Sequence, residues 1–384
     1  MRFSFSTAAT ILFGNGIAKT IPERAAALGS RACLVTGGHP ERLAWLTGEL
    51  NRLGLRPVTV PIPGEPDTDS IASAARIVRE AGCDVVVAVG GGSVLDAGKA
   101  LAALLANRRE LMDYLEVVGK GLPLTERPAP CIAAPTTAGT GAEVTANAVL
   151  RSPEHGIKVS MRSPAMLPDL AVIDPELALS APPEVTASTG MDALTQLLEA
   201  FVSGQATPMT DALCRDGLPR AARALWAAYA DGANIKARGN MALASLYSGI
   251  ALANAKLGAA HGFAGPLGGG FDAPHGAICA ALLPHVVLVN VDALRERAPA
   301  SPALDKYAEA ARLLTGDPAA TIQDGADWLS ALCADLGIPG LAALGVVPDD
   351  FPALAANAAR TSSMKGNPIE LTPDELLSIL RRAL

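Results

Sequence analysis

The chain has 384 residues, 50% of them hydrophobic, 18% charged and only 4% aromatic, so Ala, Val and Leu must fill its interior. That length exceeds the size at which one core usually divides, so two domains are expected, and an Ala/Leu-rich chain favours helices over a β-sandwich. A formal net charge of −7 with no Lys/Arg cluster argues against nucleic acid or an anionic membrane as partner.

The first 14 residues lack a basic segment followed by a long apolar one, so no signal peptide is expected. Residues 32–36 read as a strand, 40–53 as a helix ending before Gly54, and 56–62 as a second strand. Residues 68–81 read as a helix with Asp67 or Thr68 as N-cap. The Val-rich run 83–89 suits a parallel strand covered on both faces. Residues 93–105 read as a helix and 131–134 as a short strand. Such alternation implies βαβ units and a parallel sheet. Prolines then crowd residues 147–183, and long Ala/Leu-rich segments follow. The expected division is an α/β domain over 1–155 and a mainly helical domain over 156–384. No run approaches about 18 uninterrupted apolar residues, so no membrane span is expected. The six cysteines, Cys33, Cys83, Cys131, Cys214, Cys279 and Cys333, form no CxxC pair. The first three sit in apolar runs as small core residues, which fits a reducing, cytoplasmic compartment.

Gly90-Gly91-Gly92-Ser93 follows the Val-rich run and opens a helix. Glycines there let a ligand approach the backbone, and the helix start offers free N–H groups to a phosphate. A plain tight turn between strand and helix fits the same residues. A second loop, 135–145, carries Thr136, Thr137, Thr140 and Thr145 beyond a strand end, where ligands bind in open α/β sheets; a flexible linker is its plain alternative.

Of five histidines, His39, His155, His261, His275 and His285, two flank the glycine-rich stretch 262–274, which includes Asp272. Upstream, Asp192 and Gln196 stand four residues apart and share a helix face. One carboxylate, one amide oxygen and two imidazoles suit a divalent ion, although histidines of this kind also serve as structural residues.

Together these segments resemble the iron-containing (group III) alcohol dehydrogenases. Gly90 to Ser93 with Asp96 and Lys99 resembles that family's GGGSxxDxxK turn. The loop 135–145 resembles its PTTAGTGSEVT loop, with Ala142 for Ser. The stretches 167–175, 189–199, 261–284 and 362–368 resemble further motifs in the same order, over nearly the whole chain. The resemblance implies a Rossmann-like α/β dinucleotide-binding domain followed by an all-α domain (the dehydroquinate synthase-like architecture), with the active site in the cleft between them. It implies NAD or NADP and a divalent metal, iron or zinc, serving hydride transfer between an alcohol and an aldehyde or ketone. The implied metal ligands are Asp192, Gln196, His261 and His275, with Asp192, His261 and His275 catalytic. The implied cofactor contacts are Gly37, Gly91, Gly92, Ser93, Asp96, Thr136, Thr137, Thr140 and Lys158. A homodimer acting on a small-molecule alcohol or aldehyde is implied as well. Two positions depart from the family: Gln196 where a His is frequent, and Gly265 where the HGxxH segment has its second His. Two alternatives stay open: a metal-independent reductase of the maleylacetate type, and a dehydroquinate synthase-like lyase. Gly37 and Gly38 end the first strand without the Asp that NAD-selective relatives place there, and His39 or Arg42 could meet a 2′-phosphate.

Overall fold

The β-branched runs pair into one parallel sheet. The computed structural model describes residues 2–271 and 273–384, so Met1 and Asp272 lie outside the described residues. The chain forms two units. The first, Thr7–Thr137 with Gly141–Ala178, is the α/β unit. Its strands are β1 (Thr10–Phe13), β2 (Ala32–Gly37), β3 (Val58–Ile62), β4 (Val85–Gly90), β5 (Cys131–Pro135), β6 (Asn147–Ser152), β7 (Ile157–Arg162) and β8 (Leu170–Ile173). The main sheet has the order β1-β8-β5-β4-β2-β3 with every pairing parallel, and β6 and β7 form a separate antiparallel hairpin.

The helices of this unit are α1 (Ile21–Leu28), α2 (Ala44–Arg52), α3 (Thr68–Glu80), α4 (Gly92–Ala106) and α5 (Leu111–Tyr114). The period-2 alternation of a strand sorts β4 between two cores. Val85, Val87 and Val89 pack with Ile21, Ala25, Leu46 and Leu50 of α1 and α2. Val86 and Ala88 pack with Ile71 and Val78 of α3 and Leu95 and Leu101 of α4. Burial on both faces is why the run reads as continuous valine. An added Cβ on Gly98 would stand 2.5 Å from Ala88 Cβ, so that glycine lets α4 lie directly on β4.

From β2 the chain moves to β3 on one side; from β4 it moves to β5 on the other. The sheet therefore changes direction between β2 and β4, and open α/β sheets bind ligands beyond the strand ends at such a point. Gly37, Gly90 and Pro135 stand at that edge, since Thr36 is level with Val89 and Gly90 with Pro135.

The second unit, Leu179–Leu384 with Ala138–Thr140 and the N-terminal residues through Ser6, is helical. Its helices are α6 (Pro183–Val202), α7 (Pro208–Ala230), α8 (Ile235–Ala255), α9 (Ala259–Gly270), α10 (His275–Arg297), α11 (Pro302–Thr315), α12 (Ile322–Asp335), α13 (Phe351–Ala358) and α14 (Pro373–Ala383). One core joins α6, α7, α8, α10, α11 and α12; a second joins α9, α10, α13 and α14. By length and composition α10 is apolar enough to cross a membrane, but 78% of that stretch is buried inside the unit. A helix apolar on all sides is what the centre of a bundle requires. Pro284 within α10 has no N–H to give Ala280, and the freed carbonyl accepts from the Cys333 thiol at 3.5 Å.

The structure moves the domain division from 155/156 to 178/179. The proline-rich stretch holds the β6–β7 hairpin and β8, and β8 fills the sheet between β1 and β5. β1 is likewise an element the sequence reading did not anticipate. The helix expected over 40–53 begins as a 3-10 turn, Pro40–Leu43, before α2. All six cysteines are free; burial pushes the Cys33 and Cys83 thiols up and that of Cys131 up to about 12, as for inert core residues.

Candidate metal centre and cofactor turn

Three helices of the helical unit bring the metal-ligand candidates together. Asp192, Gln196 and Glu199 sit on α6 at i, i+4 and i+7, one face of the helix, and all are buried. His261 lies in the first turn of α9 and His275 opens α10, with Cys279 one turn further along the same face. Asp192 Oδ1 stands 3.1 Å from His261 Nε2 and 3.9 Å from His275 Nε2. Cys279 Sγ stands 3.8 Å from His275 Nε2. One ligand atom from each of Asp192, His261, His275 and Cys279 falls within 4.8 Å of the others. A tetrahedral ion with ligands at about 2.0–2.3 Å keeps its donors about 3.3–3.8 Å apart, so the cluster needs little contraction to close on one.

The close approach of α10 to α6 depends on Gly276. A Cβ there would stand 2.0 Å from the Ser188 carbonyl oxygen and 3.0 Å from Asp192 Cβ.

Glu199 orients His261. Its Oε2 is 2.7 Å from His261 Nδ1, and its Oε1 accepts the Ala260 amide at 2.7 Å. An ionised carboxylate only accepts, so Nδ1 carries the hydrogen and Nε2 is turned to the cluster. Burial pushes the Asp192 carboxyl up, but the hydrogen bond from His261 and the neighbouring imidazoles outweigh it and leave it below its ordinary value. Burial lowers the His261 pKa, and Cys279, Asp192 and Glu199 overcome that and raise it well above the usual range. Burial raises the Cys279 thiol and the two imidazoles pull it below its ordinary value. Each of these shifts has its cause in the other members of the cluster, which act on one another at close range away from water. His275, with 39% of its side chain exposed, is the accessible member.

Gln196 behaves differently from its sequence expectation. Its Nε2 donates to Asp192 Oδ2 at 3.2 Å, and its Oε1 accepts from Ser248 Oγ at 2.8 Å. The amide thus positions Asp192 and turns its oxygen away from the cluster. At Gly265 an added Cβ would meet nothing within 4 Å, so the place of the family's second His is open space. Cys279 and Glu199 were missed as site residues. Their signals were in the sequence: Cys279 is four residues from His275 and Glu199 seven from Asp192.

In the α/β unit, Gly91 caps the start of α4 without a side-chain hydrogen bond, and the Val94 and Leu95 amides turn back to its carbonyl. The N–H groups of Gly92 and Ser93 are left to a ligand at the positive end of the helix. The Thr136 amide bonds the Gly90 carbonyl at 2.9 Å, and a Cβ on Gly91 would stand 3.6 Å from Thr137 Oγ1. Gly91, Gly92, Ser93, Thr136 and Thr137 therefore line one turn, and Gly37 ends the neighbouring strand.

The other three expected cofactor residues have contacts of their own. Asp96 is a strut: it pairs with the buried Lys99 at 2.9 Å and accepts the Val149 amide at 3.0 Å, tying α4 to β6. Lys158 on β7 pairs with Glu65. Thr140 lies in the short piece Ala138–Thr140, which packs within the helical unit.

The chain is similar to known proteins over both units. The model of the iron-containing alcohol dehydrogenase family matches residues 8–175, and that of its C-terminal domain matches residues 186–384. The chain is 38% identical to the 1,3-propanediol dehydrogenase of Citrobacter freundii, covering 84% of this chain and 81% of that one. A crystal structure of 1,3-propanediol oxidoreductase superposes with a TM-score of 0.91 at 33% identity, covering 100% of both chains. The sulfoacetaldehyde reductase of Bifidobacterium kashiwanohense, solved in complex with NAD+, superposes with a TM-score of 0.88 at 30% identity, covering 100% of this chain and 99% of that one.

Proposed function

The chain belongs to the iron-containing alcohol dehydrogenase family, and on that premise we propose that it reduces small aliphatic aldehydes, and oxidises the corresponding alcohols and diols, in the cytoplasm. The chain is an NAD(P)-dependent oxidoreductase interconverting an alcohol and a carbonyl compound. The reductase and lyase alternatives left open by the sequence gain no support from the relatives. The convergence of Asp192, His261 and His275 from three helices carries the reading. The similarity to a propanediol dehydrogenase and the open space at Gly265 support a short, polar-ended substrate.

When bound, the metal supplies Lewis acidity to the substrate oxygen and the nicotinamide exchanges hydride with the substrate carbon. Everything else falls to the chain's own residues. Glu199 keeps the proton on His261 Nδ1, so Nε2 stays available as a neutral donor. Gln196 and Ser248 fix the Asp192 carboxylate. The Gly92 and Ser93 amides and the α4 dipole hold the pyrophosphate. Glycine at 265 leaves open the place where the resemblance puts an imidazole, so no side chain of residue 265 takes the alcohol proton. The active species is a homodimer.

The test is metal analysis of the purified protein with an alcohol and aldehyde panel read by NADH and NADPH absorbance. Turnover lost on chelation and restored by iron or zinc is expected. Absence of turnover, or turnover indifferent to exhaustive chelation, overturns the reading.

A further inference from the structure

We propose that Cys279 is the fourth protein ligand of the metal centre, its thiolate filling the coordination position that the family resemblance gives to residue 196. The inference rests on the metal reading above and deepens it. Two features of this chain meet in one cluster. At 196 the chain carries an amide, and that amide is already engaged: Nε2 faces the Asp192 carboxylate and Oε1 holds the Ser248 hydroxyl. Turning the amide over would set its oxygen against Asp192 Oδ2, which is repulsive. One turn beyond His275, the chain instead offers a sulfur. Cys279 is fully buried, and its Sγ shares a 4.8 Å cluster with Asp192, His261 and His275.

A thiol used only as core filling has no reason to stand among three polar donors. Cys279 packs in an apolar core as Cys33, Cys131 and Cys214 do, but it is the one of these four whose sulfur also stands within 4.8 Å of a carboxylate and two imidazoles. At the centre, carboxylate, thiolate and two neutral imidazoles carry two negative charges, matching a divalent ion. The thiol proton is released to solvent as the ion enters. Thiolate with imidazole favours zinc, whereas imidazole with hard oxygen donors suits iron as well. A thiolate at 279 with the amide at 196 turned away therefore shifts this chain's preference toward zinc.

The test strips the full-length protein of metal and titrates it with Co(II), following the near-ultraviolet thiolate-to-cobalt charge-transfer band. The band is expected in the wild type and in Gln196→Leu, and is expected to vanish in Cys279→Ser and Cys279→Ala, with cobalt bound at least tenfold more weakly. X-ray absorption of the zinc-loaded wild type, which needs no variant to fold, should show one sulfur at about 2.3 Å. Cobalt or zinc bound without sulfur, or a band that survives both Cys279 variants, overturns the ligand assignment and leaves the metal-site reading standing. Failure of the wild type to bind either ion overturns both.

Discussion

His261 Nδ1 lies 2.7 Å from Glu199 Oε2, and the same carboxylate caps the start of α9 through the Ala260 amide at 2.7 Å. One acid thus fixes both the imidazole's tautomer and the helix that carries it. Loss of such an outer partner typically costs 10–100-fold in metal affinity. Glu199→Gln should therefore weaken metal binding by about 10–100-fold while keeping the helical signature. Competition with a calibrated chelator measures this; unchanged affinity would show that Glu199 only caps the helix.

Gly276 sets the gap between α6 and α10. A Cβ standing 2.0 Å from a backbone oxygen cannot be absorbed by a side-chain rotation, so Gly276→Ala must push α10 outward, carrying His275 and Cys279 from Asp192. Overpacking of this kind costs about 1–3 kcal/mol. Metal content should fall together with the unfolding midpoint. Gly48→Ala is the matched control: it lies on the exposed side of α2 with nothing within 4 Å of its Cβ. That change should be neutral or stabilising by up to about 1 kcal/mol. A stable, fully metallated Gly276→Ala protein would refute the packing argument.

The α/β unit was legible wherever burial wrote itself into a run. β4, covered on both faces, could be read from its valines alone, and the N-cap expected at Asp67 or Thr68 placed the start of α3, which Asp67 caps in the structure. The hairpin was not legible. In β6 only Ala148, Leu150 and Ser152 turn inward, too short an alternation to stand out among prolines. In the site, Asp192, His261 and His275 were found by residue type and resemblance. Cys279 was passed over because a cysteine in an apolar helix looks like core until its neighbours are known, and Gln196 was expected as a ligand because sequence gives no amide orientation. Asp96 and Lys158 were placed by resemblance; the i,i+3 pair of Asp96 with Lys99 lies within one helix and follows from spacing, whereas the bonds of Asp96 to the Val149 amide and of Lys158 to Glu65 are tertiary facts.

Cofactor choice should turn on Gly37. It ends β2 beside the turn-forming end of β4, and its Cβ position is open. A carboxylate there would accept the ribose 2′-hydroxyl of NAD and repel the 2′-phosphate of NADP. Gly37→Asp is expected to lower kcat/KM for NADPH at least tenfold against NADH, a shift of about 1.4 kcal/mol in transition-state stabilisation. Steady-state kinetics with both cofactors measure it; an unchanged ratio would place the 2′ position elsewhere.

The loop after β5 carries its own pH dependence. Glu143 is buried, and desolvation outweighs its backbone hydrogen bond and the Lys99 charge to raise its carboxyl to about 7. The unfolded chain gives up this proton near the ordinary glutamate value, so across the interval between the two values the folded state binds more protons. Stability must then fall as pH rises through that window and level off above it. The shift corresponds to about 3 kcal/mol at most. Glu143→Gln keeps the shape and removes the charge. It should match the wild type at about pH 4, below both values, and exceed it by up to about 3 kcal/mol at about pH 8. The quantity to measure is the difference in unfolding midpoint between the two proteins, in which every other titration cancels. A difference independent of pH would mean that Glu143 stays ionised in the fold. A difference that grew as pH fell would reverse the sign and place a cationic partner against the carboxylate.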